Sequence, residues 1–485
     1  MRVEPSFSLS PARAASVASR AMVATSQPLA ALHALDVLRE GGSAVDAAVC
    51  AAAVLCVTEP HATGVGGDVL ALVRGPAGAV HGLDAAGPAP RLAPPEPPDY
   101  EGPRSVDVPG AVAGWGELSA RFGRVGLERC LAPAIALAEG GVPAGFNCAA
   151  IWQDTPRAPA AFGRPPAFGV RFRLPELADT LRSIATQGPG CLYAGEIAEA
   201  IAASTWLAVE DLAGYQPRWV QPLTATYRGL QVAELPPPTQ GVAALEALAI
   251  LGDRDVDLRE QVIAVGLALE DALATVRDGA DVSGLLTPEH VASRRAHLPG
   301  PVAEPAGGTV SVCAVDDDGM AVSLLQSLYE SFGSGVVAGR TGIVLNNRAA
   351  GFAVQGQVVG GTRPYHTLIP GMLTREHELV GPFGLMGGMI QAQSHTQFLC
   401  ELLRGGGDPG DPQAAIDRGR FRIDGRTLNL EPPLWDQADD VRGLGYNVRR
   451  VTERAPFGGG QAIILRDGTL FGGSDARKDG CALGI

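Results

Sequence analysis

Residues 298–329 read LPGPVAEPAGGTVSVCAVDDDGMAVSLLQSLY. The first part, LPGPVAEPAGG, holds three prolines and three glycines and is excluded from a regular core element. Two β-rich runs follow it directly, Thr309 to Asp316 and Met320 to Leu328. Asp317-Asp318-Gly319 joins them, and Asp-Gly between β-rich runs signals a hairpin. The chain therefore changes character near residue 298, from a linker to a sheet-forming block.

Helical signals precede this block. Ser26 starts a helix-like stretch with Pro28 in its first turn and leucines at 29, 32, 35 and 38, and Gly41-Gly42 ends it. Ser43 caps a second stretch, Ala44 to about Leu55, which is apolar on nearly every face and so is expected to be buried. Helical patterning returns at about 110–140 and 241–275. The Pro-rich segment 87–104 reads as an extended surface loop and 154–169 as a second Pro/Gly loop. Past the hairpin, Ala462–Leu465 and Thr469–Phe471 flank Arg466-Asp467-Gly468, a further strand–turn–strand signal. Helices, a sheet block and more helices predict a layered α/β protein, with helices covering two packed sheets.

Composition narrows the function. The 485 residues carry a formal net charge of −14, which disfavours nucleic acid as a partner. No apolar run reaches the length of a membrane span, and the N-terminus lacks the uninterrupted apolar region of a secretory signal. The eight cysteines form no CxxC pair and none lies at metal-ligand spacing with histidine, so free thiols, a reducing cytoplasmic setting and no metal or cofactor are expected. Thr63-Gly64-Val65-Gly66-Gly67-Asp68 lacks the Lys and Ser/Thr of a phosphate loop and reads as a structural turn.

Thr309 is where chemistry enters. A threonine hydroxyl needs an adjacent base to act as a nucleophile. Breaking the Gly308–Thr309 bond would free an α-amine with an ordinary pKa of about 7.7–8.0, able to take the hydroxyl proton near neutral pH. One residue would then supply both nucleophile and base.

Several ordered blocks resemble the γ-glutamyltransferase family. They are residues 21–73, with AMVATSQPLAALHALDVLREGGSAVDAAV and TEPHATGVGGD; VDVPGAVAGWGEL at 106–118, with LAPAIALAEGG after it; and VEDLAGY at 209–215. Then come 309–337 running into TGIVLNNRAAGF, RPYHTLIPGML with GLMGG at 384–388, and GGSDARKDG at 472–480. The resemblance implies an N-terminal-nucleophile αββα sandwich made as an inactive precursor. It implies self-cleavage between Gly308 and Thr309 into a large subunit, 1–308, and a small subunit, 309–485, which stay together; whether such pairs dimerise further is open. By motif position Thr309 is the nucleophile, Ser327 the assisting hydroxyl, and Gly387-Gly388 the oxyanion-hole pair.

The resemblance also shows departures. The glutamyl enzymes' carboxylate-binding arginine falls near Ala86, their amine-pairing aspartate is Gly351, their serine pair is Tyr365-His366, and the asparagine after the assisting hydroxyl is Tyr329. Arg348 stands where those enzymes have a neutral glutamine. These choices resemble the oxamate amidohydrolase-like branch, and they point to a small amide bearing a carboxylate, bound by Arg348, Tyr329, Tyr365 and His366. The structural alternative for Arg348 is an ion pair, and for His366 a satisfied core histidine; His395 reads as structural. The competing functions are a glutathione hydrolase or γ-glutamyl transpeptidase, a larger-substrate acylase, and a non-catalytic relative that only binds.

Overall fold

Strand Gly308–Val315 has apolar neighbours on both faces. Val310, Val312 and Ala314 join one buried cluster, while Cys313 and Val315 join another. Its hairpin partner Ala321–Tyr329 does the same, with Val322 and Leu324 on one side and Ala321 and Leu325 on the other. Side chains alternate across a strand, so such a pair must lie inside a sandwich, helices on one face and a second sheet on the other. The computed structural model, which describes residues 13–302 and 307–485, has this architecture.

The first sheet runs, in spatial order, Cys481–Gly484, Met22–Thr25, Gly308–Val315, Ala321–Tyr329, Asp68–Arg74, Val80–Ala85 and Arg218–Val220. The second runs Ser16–Ala18, Thr469–Ser474, Gly459–Arg466, Glu378–Met386, Gly371–Arg375, Leu230–Glu234 and Leu223–Tyr227. Neighbours in both are antiparallel. Two hydroxyls bind the sheets together: Ser311 Oγ donates to Gly384 O at 3.1 Å and Ser323 Oγ to Phe383 O at 2.7 Å. Helices Pro28–Arg39, Ala44–Thr58, Ala111–Phe122, Gly126–Gly140 and Pro175–Gln187 cover the first sheet. Gly241–Leu251, Leu258–Thr275 and Ile390–Leu402 cover the second, with a small sheet of Phe421–Asp424, Thr427–Leu430 and Asn447–Arg450 beside them. The fold is the expected αββα sandwich.

Ala44–Thr58 is buried along its whole length, as its apolar faces require, and a reciprocal capping box between Ser43 and Asp46 starts it. Three expectations need correction. Gln27, not Ser26, caps the first helix, its side chain accepting from the N–H groups of Leu29 and Ala30. The helical stretches 110–140 and 241–275 are each two helices, interrupted at 123–125 and 252–257, where Gly123 and Gly252 end the first of each pair. Segment 87–104 begins buried and reaches the surface only from Arg91; a Cβ on Gly87 would sit 1.6 Å from Val108 O. Residues 303–306 of the linker lie outside the described residues, as does the N-terminus through residue 12.

Candidate active site

The hairpin is irregular at Thr309. Gly308 pairs with Tyr329 but Val310 pairs with Gln326, so a bulge falls between them. A bulge re-aims a side chain, and here the Thr309 hydroxyl turns back to donate to Gly308 O at 2.7 Å. Ser327 Oγ donates to the same oxygen at 2.5 Å, lies 3.5 Å from Thr309 Oγ1, and accepts from Tyr329 N at 2.7 Å. Thr309 is only 4% exposed.

The Gly387-Gly388 loop closes the other side. It follows strand Glu378–Met386, precedes helix Ile390–Leu402, and has φ of +131° and +75° at its two residues, conformations open to glycine. A Cβ on Gly307 would lie 2.9 Å from Gly388 Cα, and one on Gly308 would lie 3.6 Å from Ala62 Cα. The chain before Thr309 thus passes between Ala62 and Gly388. Helix Ile390–Leu402 starts directly after this loop, and a helix start is suited to negative charge.

Two glutamines that sequence reasoning passed over hold the loop. Gln391 Nε2 donates to Thr309 Oγ1 at 3.4 Å while Gln391 Oε1 accepts from Ile369 N. Gln240 Nε2 donates to Thr367 O and to Gly388 O, and the Tyr365 hydroxyl donates to Gln240 Oε1 at 3.3 Å. Tyr365 therefore bears on the Gly388 loop through Gln240.

The remaining expected residues converge on Asp68. Arg348 Nε and His366 Nε2 both reach Asp68 Oδ2 at 3.3 Å, with all three side chains buried. Asp68 Oδ1 accepts from Gly87 N. Arg348 Nη1 donates to Thr367 Oγ1 at 3.4 Å, and its guanidinium carbon lies 4.1 Å from the centre of the Tyr329 ring. Its Nη2 is buried without a hydrogen-bond partner among the described residues. Burial lowers the Arg348 pKa and Asp68 opposes that shift. His366 is pushed down to about 4, by burial first and Arg348 second. Because its Nδ1 accepts from Leu368 N, the neutral ring carries its proton on Nε2, facing Asp68. Both ring nitrogens are thus engaged inside the protein, the arrangement of a satisfied core histidine that the sequence left as the alternative for His366.

The turn Thr63–Asp68 is structural, as expected, yet it also brings Asp68 to Arg348. A Cβ on Gly67 would meet Ser327 O at 2.2 Å, so this glycine lets the turn press against the strand that carries Ser327. Asp107 is a further residue the sequence did not flag. Both its carboxyl oxygens are buried without partners among the described residues, and burial, then Asp68, holds its pKa well above the usual range while Arg348 opposes. Asn346 joins the three segments: its Oδ1 accepts from Asp107 N and Arg348 N, and its Nδ2 donates to Gly66 O and Asp107 O. His395 is structural, with Nδ1 against Glu234 Oε1 at 2.7 Å and Nε2 accepting from Leu385 N.

Among the described residues one group, Glu246, Asp271 and His290, brings three potential metal ligands together in the outer helical layer. Arg294 already pairs with Asp271 at 2.8 Å, so this cluster carries its own cation.

Residues 30–485 match the gamma-glutamyltranspeptidase family. The chain belongs to that family. As a member it is an N-terminal-nucleophile hydrolase acting on amide bonds. The chain is 33% identical to the oxamate amidohydrolase proenzyme of Klebsiella pneumoniae, the alignment covering 96% of this chain and 99% of that one. It is 31% identical to the glutathione hydrolase-like YwrD proenzyme of Bacillus subtilis, over 97% and 99%. Among solved structures it resembles the cephalosporin acylase of Bacillus halodurans, with a TM-score of 0.92 and 36% identity over 100% and 99% of the two chains.

Proposed function

We propose that the protein cleaves itself before Thr309 and then hydrolyses a small carboxylate-bearing amide through an acyl-Thr309 ester. The observation that carries this reading is the pair of hydroxyls on one carbonyl: Thr309 Oγ1 and Ser327 Oγ both sit against Gly308 O. In self-cleavage Thr309 Oγ attacks the Gly308 carbonyl carbon, its proton passes to the Thr309 nitrogen, and the C–N bond breaks to leave an ester. Ser327 stabilises the oxygen as it turns negative. Water then hydrolyses the ester, giving a Gly308 carboxylate and a free Thr309 amine.

The mature site repeats the chemistry on substrate. The α-amine takes the hydroxyl proton as Oγ attacks the amide carbon, and the protonated amine or ammonia departs. Water releases the acid. Gly387 and Gly388 are the proposed oxyanion loop. The fragments 1–308 and 309–485 would remain one body, because strand Gly308–Val315 lies between Met22–Thr25 and Ala321–Tyr329 within one sheet. Arg348, with its free Nη2, is the proposed carboxylate ligand, positioned by Asp68 and, through Asp68, by His366. Similarity to the oxamate amidohydrolase proenzyme supports an acyl group of this kind. The eight unpaired cysteines support a cytoplasmic setting.

A second reading, an acylase for larger side chains, is favoured by the likeness to the cephalosporin acylase. Intact mass tests the first step: two fragments are expected from the native protein and one uncut chain from Thr309→Ala. Turnover of oxamate, glutathione and a cephalosporin then separates the readings. Oxamate hydrolysis that falls sharply in Arg348→Ala is expected; cephalosporin cleavage without oxamate cleavage would replace the first reading by the second.

A further inference from the structure

Of the 38 basic residues in this chain, all but one are arginine; the exception is Lys478. It lies in the GGSDARKDG motif, and its place in the fold is unlike that of a solvated surface lysine. Its stem lies flat on Gly459, where a Cβ would meet its Cγ, Cδ and Cε at 2.6, 3.3 and 2.9 Å. Gly459 opens the strand that pairs with Met386, and the preceding Gly458 has its Cα 2.9 Å from where a Gly387 Cβ would be. On the other side, the Lys478 charge acts on Glu59 and His61, both buried, in the segment whose Ala62 flanks Gly308. Lys478 therefore packs on the strand start that adjoins Gly387.

Its ammonium is also uncommitted. Among the described residues Lys478 forms no ion pair. The adjacent Asp479 is turned away, accepting from Asn147 N at 2.9 Å and Asn147 Nδ2 at 2.7 Å. Glu59 is held up to about 7 by burial, so near neutral pH it is only partly an anion. Arg348 differs: its charge is matched by Asp68, and Asp107 stands close by. The Arg348 guanidinium is thus already paired with a buried carboxylate, whereas Lys478 has no carboxylate within ion-pair distance among the described residues.

We propose that Lys478 is a specificity-determining residue that holds an anionic group of the substrate, a carboxylate, beside the Gly387-Gly388 loop. This rests on Thr309 being the nucleophile, since only then is the passage between Ala62 and Gly388 the acyl pocket. The chain's own Gly307-Gly308 occupies that passage before cleavage, and a substrate acyl group on Thr309 Oγ takes its place afterwards.

The single lysine makes the test direct. Reductive ¹³C-methylation of the mature enzyme gives one side-chain amine signal, identified by its loss in Lys478→Arg. Titration with oxalate is expected to shift that signal saturably. In parallel, kcat/KM is measured for oxamate and for its uncharged methyl ester in Lys478→Met, Lys478→Arg, Gly459→Ala and Arg348→Ala. Lys478→Met is expected to lower the oxamate-to-ester ratio about tenfold or more, the order of a charge-assisted contact. Gly459→Ala, which displaces the stem, is expected to lower it in the same direction. An unmoved signal with an unchanged ratio in Lys478→Met overturns the proposal. If Arg348→Ala alone collapses the ratio, the proposal falls and the carboxylate-amide reading stands. If the native enzyme shows neither a preference for oxamate nor a response to oxalate, both fall. Should Lys478→Met fail to fold, the oxalate titration of the native protein decides.

Discussion

The Ser327 hydroxyl lies 2.5 Å from the carbonyl oxygen of Gly308, across the bulge that also turns Thr309 back onto that oxygen. A donor held against an oxygen that becomes negative is worth about 2.7–4 kcal/mol in acyl transfer, or roughly 10²–10³ in rate. Ser327→Ala is therefore expected to slow self-cleavage by that order, and Ser327→Thr to retain much of it. A time course on a denaturing gel measures both. Native-rate cleavage in Ser327→Ala would show that the Gly308 oxygen is stabilised from elsewhere.

Gly67 is expected to be intolerant of any side chain, for a reason unrelated to backbone freedom. Its φ lies outside the left-handed region, yet a Cβ there would stand 2.2 Å from the backbone oxygen of Ser327. Backbone cannot swing aside as a side chain can, so Gly67→Ala must push the Thr63–Asp68 turn off the strand that carries Ser327. A loss of about 3 kcal/mol in stability is expected from this overpacking, with slowed self-cleavage. Urea unfolding and the same gel assay read the two effects. Normal stability with normal cleavage would mean that the turn can shift freely.

Asp68 and Asp107 offer a contrast between two buried carboxyls. Asp68 receives Arg348, His366 and Gly87 N, so Asp68→Asn leaves a buried guanidinium unmatched. Breaking such a pair typically costs about 3–5 kcal/mol. The lower end is expected, because Asp107, relieved of its acidic neighbour, can ionise toward Arg348 in compensation. Asp107→Asn replaces a carboxyl that burial keeps protonated and that has no partner to lose, and about 1 kcal/mol or less is expected. Urea midpoints rank the two variants; equal losses would show that Asp107 is ionised in the folded protein.

These residues also mark where sequence reading ends. The hairpin was legible because β-rich runs flank Asp-Gly, and Ala44–Thr58 because its apolar residues leave no polar face. Thr309, Ser327 and Gly388 were placed by motif, and they do lie around Gly307 and Gly308. Asp68 was hidden because its role comes from a sheet register, in which it pairs with Ser327 from a distant part of the chain. Asp107, Gln240 and Gln391 reach the site through tertiary packing that no local pattern encodes. The helix break at 252–257 had a readable signal: Asp257 and Glu260 form a capping box before the second helix.

Glu59 gives the site a pH signature in stability. Burial raises its pKa from the usual 4.5 to about 7, against the opposing charge of Lys478. Between those values the folded chain keeps a proton that the unfolded chain has released. The contribution of Glu59 to stability is therefore fully present below about pH 4.5 and is lost as pH rises to 7. The span corresponds to about 3 kcal/mol. Glu59→Gln mimics the protonated carboxyl at every pH and removes this slope. The Tm of Glu59→Gln relative to the native protein is expected to climb from pH 4 to pH 7 and then level off. Other buried groups titrate in the same range, including His366, but they are common to both proteins and cancel in the difference. Parallel Tm curves for the two proteins from pH 4 to 8 would show that burial does not raise the Glu59 pKa.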